Sequence, residues 1–469
     1  MTLFTSGIAQ PKITHVVPLA VDTITAAGAL ALAMDGAAAN LLGLRTNCAD
    51  ATPTPYILYE KGDEIAFAAG CAAEIRLDRA GLHLTTPAAS RTEPLTDRPL
   101  HQVQAMVASI LSHDKGPQPR VFGWATFELS YLLQGLPIAD DVGTLLHLFV
   151  PQQEARIRAG EAELRVSNLQ TAELWEAVLR NAKPNVPSAR VHVDEVNDTT
   201  GYVDAAHEAI KSIDGSKLRK IILSRSVFVS QDIDLVASYQ TLRRNNTPAR
   251  SFLLRFGGIA AAGVSPGAIV EVSVTGAIVA QPLAGTRAYT GQPELDASLR
   301  DELLSDPKEI YEHALSVKLA QDEIAEVSEP GTVFVEDFMD VVARGSVQHL
   351  ASRVRGQLRT DASCWDAFGS VFPAVTASGI PKRAACREIS LREQSPRGLY
   401  SGAVLAVGSG GELDAALVLR SVYQGESATW LRAGAGLISQ SEPERELEET
   451  REKMRSVSRF LVPRSGSVA

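Results

Sequence analysis

Two stretches of the chain carry carboxylates in pairs that a helix would bring to one face. The pattern over 307–327 predicts a long helix on which Glu309 and Glu312, three residues apart, share a side. A second helix is predicted over 442–460, with Glu446 and Glu449 at the same spacing and Lys453 one turn beyond. Two carboxylate pairs on two helices suit an oxygen-preferring cation such as Mg²⁺. A glutamate-rich helix is also the ordinary solvated face of a globular protein. A di-iron centre is disfavoured because its Glu-x-x-His spacing is absent: His313 directly follows Glu312. Lys220 opens the otherwise apolar run Lys220-Ile-Ile-Leu-Ser-Arg225. A lysine there is either half-buried and able to act as a general base, or at a strand edge with its ammonium in water. Arg432-Ala-Gly-Ala-Gly436 is expected to follow a strand. Gly434 and Gly436 would let a ligand carboxylate approach backbone N–H groups, or else mark a bulge. Arg420, closing another predicted strand, offers a bidentate partner for the same anion. No GxGxxG opens a helix in a βαβ setting and no GxSxG occurs, so neither a dinucleotide fingerprint nor a nucleophile elbow is indicated.

The elements that must position these residues alternate between strands and helices. Strands over 56–60 and 64–69 flank the turn Lys61-Gly62-Asp63, and strands over 73–77 and 82–85 form a second hairpin. Segments 145–150, 155–158 and 163–166 read as a meander. Helices are expected over 24–44, 100–113, 171–181 and 202–213. Further strands fit 220–228, 251–256, 268–273, 277–280, 402–407, 415–422 and 429–433. Tight glycine turns between many of them predict a mostly antiparallel arrangement, α+β rather than doubly wound. Pro184-Asn185-Val186-Pro187 breaks the chain as a linker or a loop, and 463–469 should fray.

Composition narrows the function classes. The 469 residues include 45 basic and 55 acidic side chains, a net charge of −10. That argues against a general nucleic-acid or anionic-membrane surface and leaves room for a local basic pocket. The four cysteines, Cys48, Cys71, Cys364 and Cys386, form no CxxC pair, which predicts reduced, buried thiols and no structural zinc. The first residues lack the basic flank and apolar run of a signal peptide. The apolar stretch 24–44 is interrupted by Asp35 and reads as a buried or amphipathic helix rather than a membrane span. A cytoplasmic protein is expected.

Several motifs then follow in order: Lys220–Arg225, Pro282-Leu-Ala-Gly-Thr-Arg287, Lys308-Glu-Ile-Tyr-Glu-His313, Pro373-Ala-Val-Thr-Ala-Ser-Gly-Ile-Pro-Lys382, Tyr400-Ser-Gly402, Arg432–Gly436 and Glu446-Leu-Glu-Glu-Thr-Arg-Glu-Lys453. Together they resemble the chorismate-utilising enzymes, the anthranilate, isochorismate and salicylate synthases. Gly345-Ser-Val-Gln-His-Leu350, Phe372–Gly379 and Pro396-Arg-Gly-Leu-Tyr-Ser-Gly402 resemble the salicylate synthases most. The likeness is nearly continuous over 217–453; before residue 190 only the layout is compatible. It implies one large α+β domain over 1–462, like anthranilate synthase component I, with two stacked, mostly antiparallel sheets and helices outside. It also implies a site in which Mg²⁺ bridges the C1 carboxylate of chorismate and protein glutamates. Carried over, Glu312 and Glu449 look like direct metal ligands, with Glu309 and Glu446 as second ligands or holding metal-bound water. Gly434, Gly436 and Lys453 would hold the ring carboxylate, Tyr400 and Arg420 the enolpyruvyl carboxylate, and Gly285 and Thr286 would line the ring. His349 and Thr376 lie in motifs that border the substrate. Lys220 matches the base that activates water for attack at C2. Relatives that add ammonia usually lack it and draw on a glutaminase, so no glutaminase subunit is expected, and the chain should act as a monomer. Ala284 stands where aminodeoxychorismate synthases often carry a nucleophilic lysine.

One position departs from the resemblance. The family's general acid is the glutamate of a Ser-Pro-Glu motif, and here the chain reads Gly263-Val-Ser-Pro-Gly267. Gly267 cannot protonate the departing C4 hydroxyl, and losing a positioned acid typically costs roughly 10²–10⁴-fold. Glu271 lies about 13 Å further along a strand and would serve only if a bulge turned it inward. The resemblance therefore implies a Mg²⁺-dependent salicylate synthase, taking chorismate to isochorismate and then to salicylate plus pyruvate, in siderophore or other secondary metabolism, with its hydration step weakened. The alternatives are an isochorismate pyruvate-lyase alone, or a non-catalytic protein that binds chorismate or isochorismate.

Overall fold

Strands buried on both faces need apolar side chains at consecutive positions, and this chain supplies them in two stacked sheets. Tyr56 and Leu58 pack outward against helices, while Ile57 and Tyr59 of the same strand pack inward against Phe122, Trp124 and Phe149 of the other sheet. The computed structural model describes residues 13–36, 54–111, 120–187, 189–214, 217–345 and 347–464. Among these, one sheet has eleven strands, from Ile13–Pro18 at one edge to Lys220–Val229 and the short Gly379–Ile380 at the other. The second has twelve, from Ser90–Glu93 at one edge to Leu283–Ala288 at the other. Neighbouring strands pair antiparallel in both. Helices Thr23–Asp35, Leu169–Arg180, Leu235–Arg244 and Pro443–Ser458 cover the first sheet, and Pro99–Leu111, Pro307–Ala325 and Cys364–Val371 cover the second. The result is the expected α+β arrangement, in four layers. The 184–187 segment is a loop within it.

Several expectations change. The three segments over 145–166 are not a meander. Leu146–Val150 pairs with Ala73–Leu77 and Arg120–Ala125 in the second sheet, whereas Gln153–Arg158 and Glu161–Val166 form a hairpin in the first. The single strand expected over 415–422 is likewise two: Leu413–Leu417 in the second sheet and Ser421–Gln424 in the first. An apolar run reports that both faces are buried, not which sheet a strand joins. Arg420, at the second crossing, has φ 48°, unusual for a side-chain-bearing residue. The last strand runs Thr429–Leu437, so the glycines at 434 and 436 lie inside it rather than after it. The first helix ends at Asp35, and 37–44 fall outside the described residues. Pro463 and Arg464 are tied to Ile233 and Asp232 rather than frayed; 465–469, and the first residues read for a signal, fall outside. Cys71 is disulfide-bonded, not a reduced thiol, while Cys364 and Cys386 are free and buried. Cys48 lies outside the described residues. The pairing depends on which segments meet in space, which spacing does not report. No helix among the described residues is long and apolar enough to cross a membrane.

A buried ionic cluster locks the loop 396–402 beneath the first sheet. Glu393 accepts hydrogen bonds from Arg397 and Arg432, at 2.6 Å each, and from the backbone N–H of Ser224 at 2.8 Å. Arg397 also donates to the carbonyls of Ile222 and Ala377, and its own N–H is held by Glu128. Burial opposes ionisation of Glu393, but Arg397 and Arg432 outweigh it and hold its carboxyl below the usual range. The stabilisation is therefore present above that range and lost on acidification. Glu393→Ala would leave two guanidiniums buried without their partner, and should lower unfolding free energy by about 3–5 kcal/mol in urea titrations.

Candidate active site

A cavity of about 530 Å³ is walled by both sheets and by the helices Pro307–Ala325 and Pro443–Ser458. Every site residue expected from the sequence lines it except Gly267. Lysine and arginine outnumber glutamate in its wall, so an acidic protein concentrates positive charge here.

Each carboxylate has a cation beside it. Lys220, at the start of its strand, is only 2% exposed, and its Nζ lies 2.7 Å from Glu312 Oε1, so it faces the cavity rather than water at a strand edge. Lys453 Nζ lies 2.6 Å from Glu449 Oε1 and donates to the Gly434 carbonyl at 2.9 Å. Lys308 Nζ is 3.9 Å from Glu446. Arg287 binds Glu309 at 3.2 Å and Asp306 at 2.7 Å. Asp306 also caps the helix by accepting from the N–H groups of Lys308 and Glu309, which fixes where the glutamate pair begins. Burial, reinforced by Glu449, pushes the Glu446 carboxyl up to about 7. Burial and Glu312 raise Glu309. At Glu449 burial acts the same way, but Lys453 prevails and holds the carboxyl low. No three His, Cys, Asp or Glu side chains among the described residues converge as a ready-made metal cage.

Another part of the lining is a chain of hydrogen bonds ending in Arg420. Its guanidinium lies 2.6 Å from His349 Nε2, and His349 Nδ1 lies 3.0 Å from Thr286 Oγ1 and 3.2 Å from the Gly285 carbonyl. A guanidinium only donates, so Nε2 accepts and Nδ1 carries the proton. Burial and Arg420 push the imidazole well below its ordinary value, so it stays neutral. Gly285 sits at a bulge with φ 72°, which favours glycine, and a Cβ there would crowd Glu309 Oε2 at 3.1 Å. Thr376 donates to the Leu283 carbonyl at 3.0 Å. Tyr400 is buried, with the guanidiniums of Arg397 and Arg432 at 5.7 and 5.8 Å from its ring centre.

Gly267 is the exception. It lines a separate cavity of about 30 Å³, next to the main one, and a Cβ on it would lie 3.0 Å from Leu283 Cδ1. Its φ is not in the left-handed region. A bulge does interrupt the following strand at Ala268–Val270, yet Glu271 turns away from the cavity to Lys61 and Arg250. Sequence reasoning missed Arg287 and Lys308 as cavity residues, although both stand inside the quoted motifs, and it missed the Glu393 cluster behind Tyr400, which only folding assembles.

The two strand glycines differ in what surrounds them. A Cβ on Gly434 would lie 2.5 Å from the Leu223 carbonyl, whereas one on Gly436 would meet nothing closer than Ile222 Cδ1 at 3.3 Å. Gly434→Ala should lower the melting temperature by several degrees, about 1–3 kcal/mol of strain. Gly436→Ala should melt close to the parent protein while weakening anion binding in calorimetry.

The pattern of the chorismate binding enzyme family matches residues 54–459. The salicylate synthase of Mycolicibacterium paratuberculosis is 41% identical over 411 residues, covering 87% of this chain and 90% of that protein. An anthranilate synthase component 1 of Halobacterium salinarum is 37% identical over 291 residues, covering 61% of this chain and 55% of that protein. Among solved structures, anthranilate synthase component I of Streptococcus pneumoniae superposes with a TM-score of 0.71 at 24% identity, covering 85% of this chain and 92% of that one. The menaquinone-specific isochorismate synthase of Escherichia coli gives 0.69 at 21% identity, covering 96% and 95%. Those two share the two-sheet fold, and the matched range takes in nearly all of both sheets and every wall of the cavity: the chain belongs to the family of chorismate binding enzymes.

Proposed function

We propose that this chain is a Mg²⁺-dependent enzyme of salicylate-synthase type, converting chorismate to isochorismate and then to salicylate plus pyruvate. The 41% identity to a salicylate synthase across 87% of the chain carries the reading. Convergence of the expected side chains on one cavity supports it. Lys453 and the backbone at Gly434 and Gly436 hold the ring carboxylate, and Tyr400 and Arg420 hold the enolpyruvyl carboxylate. Neutral His349 accepts from Arg420 and so fixes the guanidinium's orientation without adding a second positive charge. Gly285 and Thr286 line the ring. Lys220 takes the proton of the water that attacks C2. It also favours water over ammonia, so the enzyme acts without a glutaminase subunit, as a cytoplasmic monomer serving siderophore or other secondary metabolism.

The glutamates fit Mg²⁺. They offer only oxygen donors, and burial and neighbouring carboxylates disfavour full ionisation of Glu446 and Glu309, a deficit that a cation would relieve. Mg²⁺ commonly takes one or two carboxylates plus waters and substrate oxygens, so a three-ligand cage is not required. Glu312 and Glu449 would hold it directly, with Glu309 and Glu446 beside them. When bound, it would neutralise the substrate carboxylate and polarise it. Glu449→Gln should weaken Mg²⁺ binding in calorimetry about tenfold or more while leaving the melting profile intact; undiminished affinity would remove Glu449 from the ligand set.

Gly267 sets the rate-limiting step. Without a carboxyl at this position the C4 hydroxyl departs slowly, whereas loss of pyruvate from isochorismate transfers hydrogen within the substrate and needs no external acid. The same observation favours a second reading, an enzyme that performs only the pyruvate elimination. Chromatography of products from chorismate and from isochorismate separates the two. No turnover of either, with tight binding, would indicate a binding protein. At Gly267 the backbone is not left-handed, and the atom nearest an added Cβ is the far end of the Leu283 side chain rather than backbone. Gly267→Glu should raise chorismate turnover by about tenfold or more. A well-folded variant with no gain would show that the site differs at further positions.

A further inference from the structure

The small cavity beside Gly267 contains a carboxyl that the mechanism above does not use. Glu323, on the helix Pro307–Ala325, lines this cavity together with Gly267, Leu283 and Thr376. Leu283 and Thr376 also line the main cavity, so the two share a wall. One Glu323 oxygen lies 2.7 Å from Lys382 Nζ, which donates in turn to the Val371 carbonyl. A volume of about 30 Å³ accommodates roughly one or two waters, and the carboxyl, the Thr376 hydroxyl and the Gln281 side chain supply polar partners for them.

We propose that Glu323 supplies the proton to the departing C4 hydroxyl of chorismate, through water in this cavity and the hydroxyl of Thr376. The inference rests on the salicylate-synthase reading and deepens it. As the C4–O bond breaks, the Thr376 hydroxyl turns from the Leu283 carbonyl to give its proton to the leaving oxygen, and it is refilled through water from the Glu323 carboxyl. Water adds at C2 and gives its proton to the Lys220 amine. Lys220 then releases that proton to solvent and Glu323 takes one back, so the isomerisation consumes none. The carboxylate formed on Glu323 is left beside Lys382, which stabilises it. Burial raises the Glu323 carboxyl to about 7 against the opposing pull of Lys382, and burial lowers Lys382, so the pair holds a transferable proton near neutrality. Asp322 and Glu326 on the same helix reinforce the rise.

The test measures turnover of chorismate and of isochorismate by the full-length protein with Mg²⁺. Glu323→Gln removes the proton source. Ala320→Val fills the small cavity, which Ala320 also lines, and keeps the Glu323–Lys382 pair should the first variant fail to fold. Each is expected to lower chorismate turnover at least about tenfold and leave isochorismate turnover within about twofold. In a Gly267→Glu background, adding Glu323→Gln should no longer matter, because the new carboxyl replaces the relay. Equal loss with both substrates would mean a structural role and overturn the proposal, as would unchanged chorismate turnover in Glu323→Gln. A native enzyme that processes isochorismate but not chorismate overturns the relay and leaves the pyruvate-elimination reading. One that processes neither overturns the functional reading as well.

Discussion

Glu393 is buried with two guanidiniums on it, and the inner wall of the cavity depends on that arrangement. A carboxylate taken out of water is costly unless it is paired and hydrogen-bonded, and here Arg397, Arg432 and Ser224 satisfy it together. Because Arg397 also reaches the carbonyls of Ile222 and Ala377, the cluster joins the Lys220 strand, the 375–377 turn and the loop bearing Tyr400. Arg432 lines the cavity and also lies over the Tyr400 ring. A residue in a glycine-rich motif thus serves as a positioning group, and its neighbours in the same strand face the cavity.

Inside the cavity the controlling effect is like charge in a restricted volume. Four glutamates on two helices would repel one another if all were ionised without partners. The protein answers with one lysine or arginine beside each. The arrangement is balanced rather than inert, because Glu446 and Glu449 are pushed in opposite directions by their surroundings. In the same cavity, neutral His349 links the half-buried Arg420 to the backbone at the Gly285 bulge. Burial and Arg344 lower Arg420 to about 10, the sign of a cation short of an anion. The lining therefore combines paired carboxylates with a guanidinium that has no carboxylate beside it among the described residues.

Of the three side-chain-bearing residues with positive φ among the described residues, Met339 lies within a strand, at φ 60°, and the other two lie close together. Arg420, at φ 48°, and Ser401, at φ 64°, belong to two segments that meet through the bond from the Ser401 N–H to the Val418 carbonyl. Backbone in this region costs roughly 1–3 kcal/mol for a side-chain-bearing residue and persists only where the surroundings enforce it. Here the Arg420 hydrogen bonds to His349 and the Arg344 carbonyl hold it.

Much of this was legible before folding. The helix-face spacing of Glu309 with Glu312 and of Glu446 with Glu449, the apolar strand opened by Lys220, and the motifs from 217 to 453 are local patterns. Local patterns survive in one dimension because helix and strand periodicities dictate which side chains share a face. Only the family resemblance, through its Ser-Pro-Glu motif, singled out Gly267 as a position without a carboxyl. What the chain order did not contain was which sheet each strand joins, since apolar runs are alike on both. Nor did it contain the cations that meet Glu309, Glu312 and Glu446, the direction in which the Ala268–Val270 bulge turns Glu271, or the pairing of Cys71. The Glu393 cluster and the small cavity that unites Gly267 with Glu323 are likewise products of packing. Apart from the Glu393–Arg397 pair, these contacts join residues tens to hundreds of positions apart, and only the stacking of two sheets brings them within bonding distance.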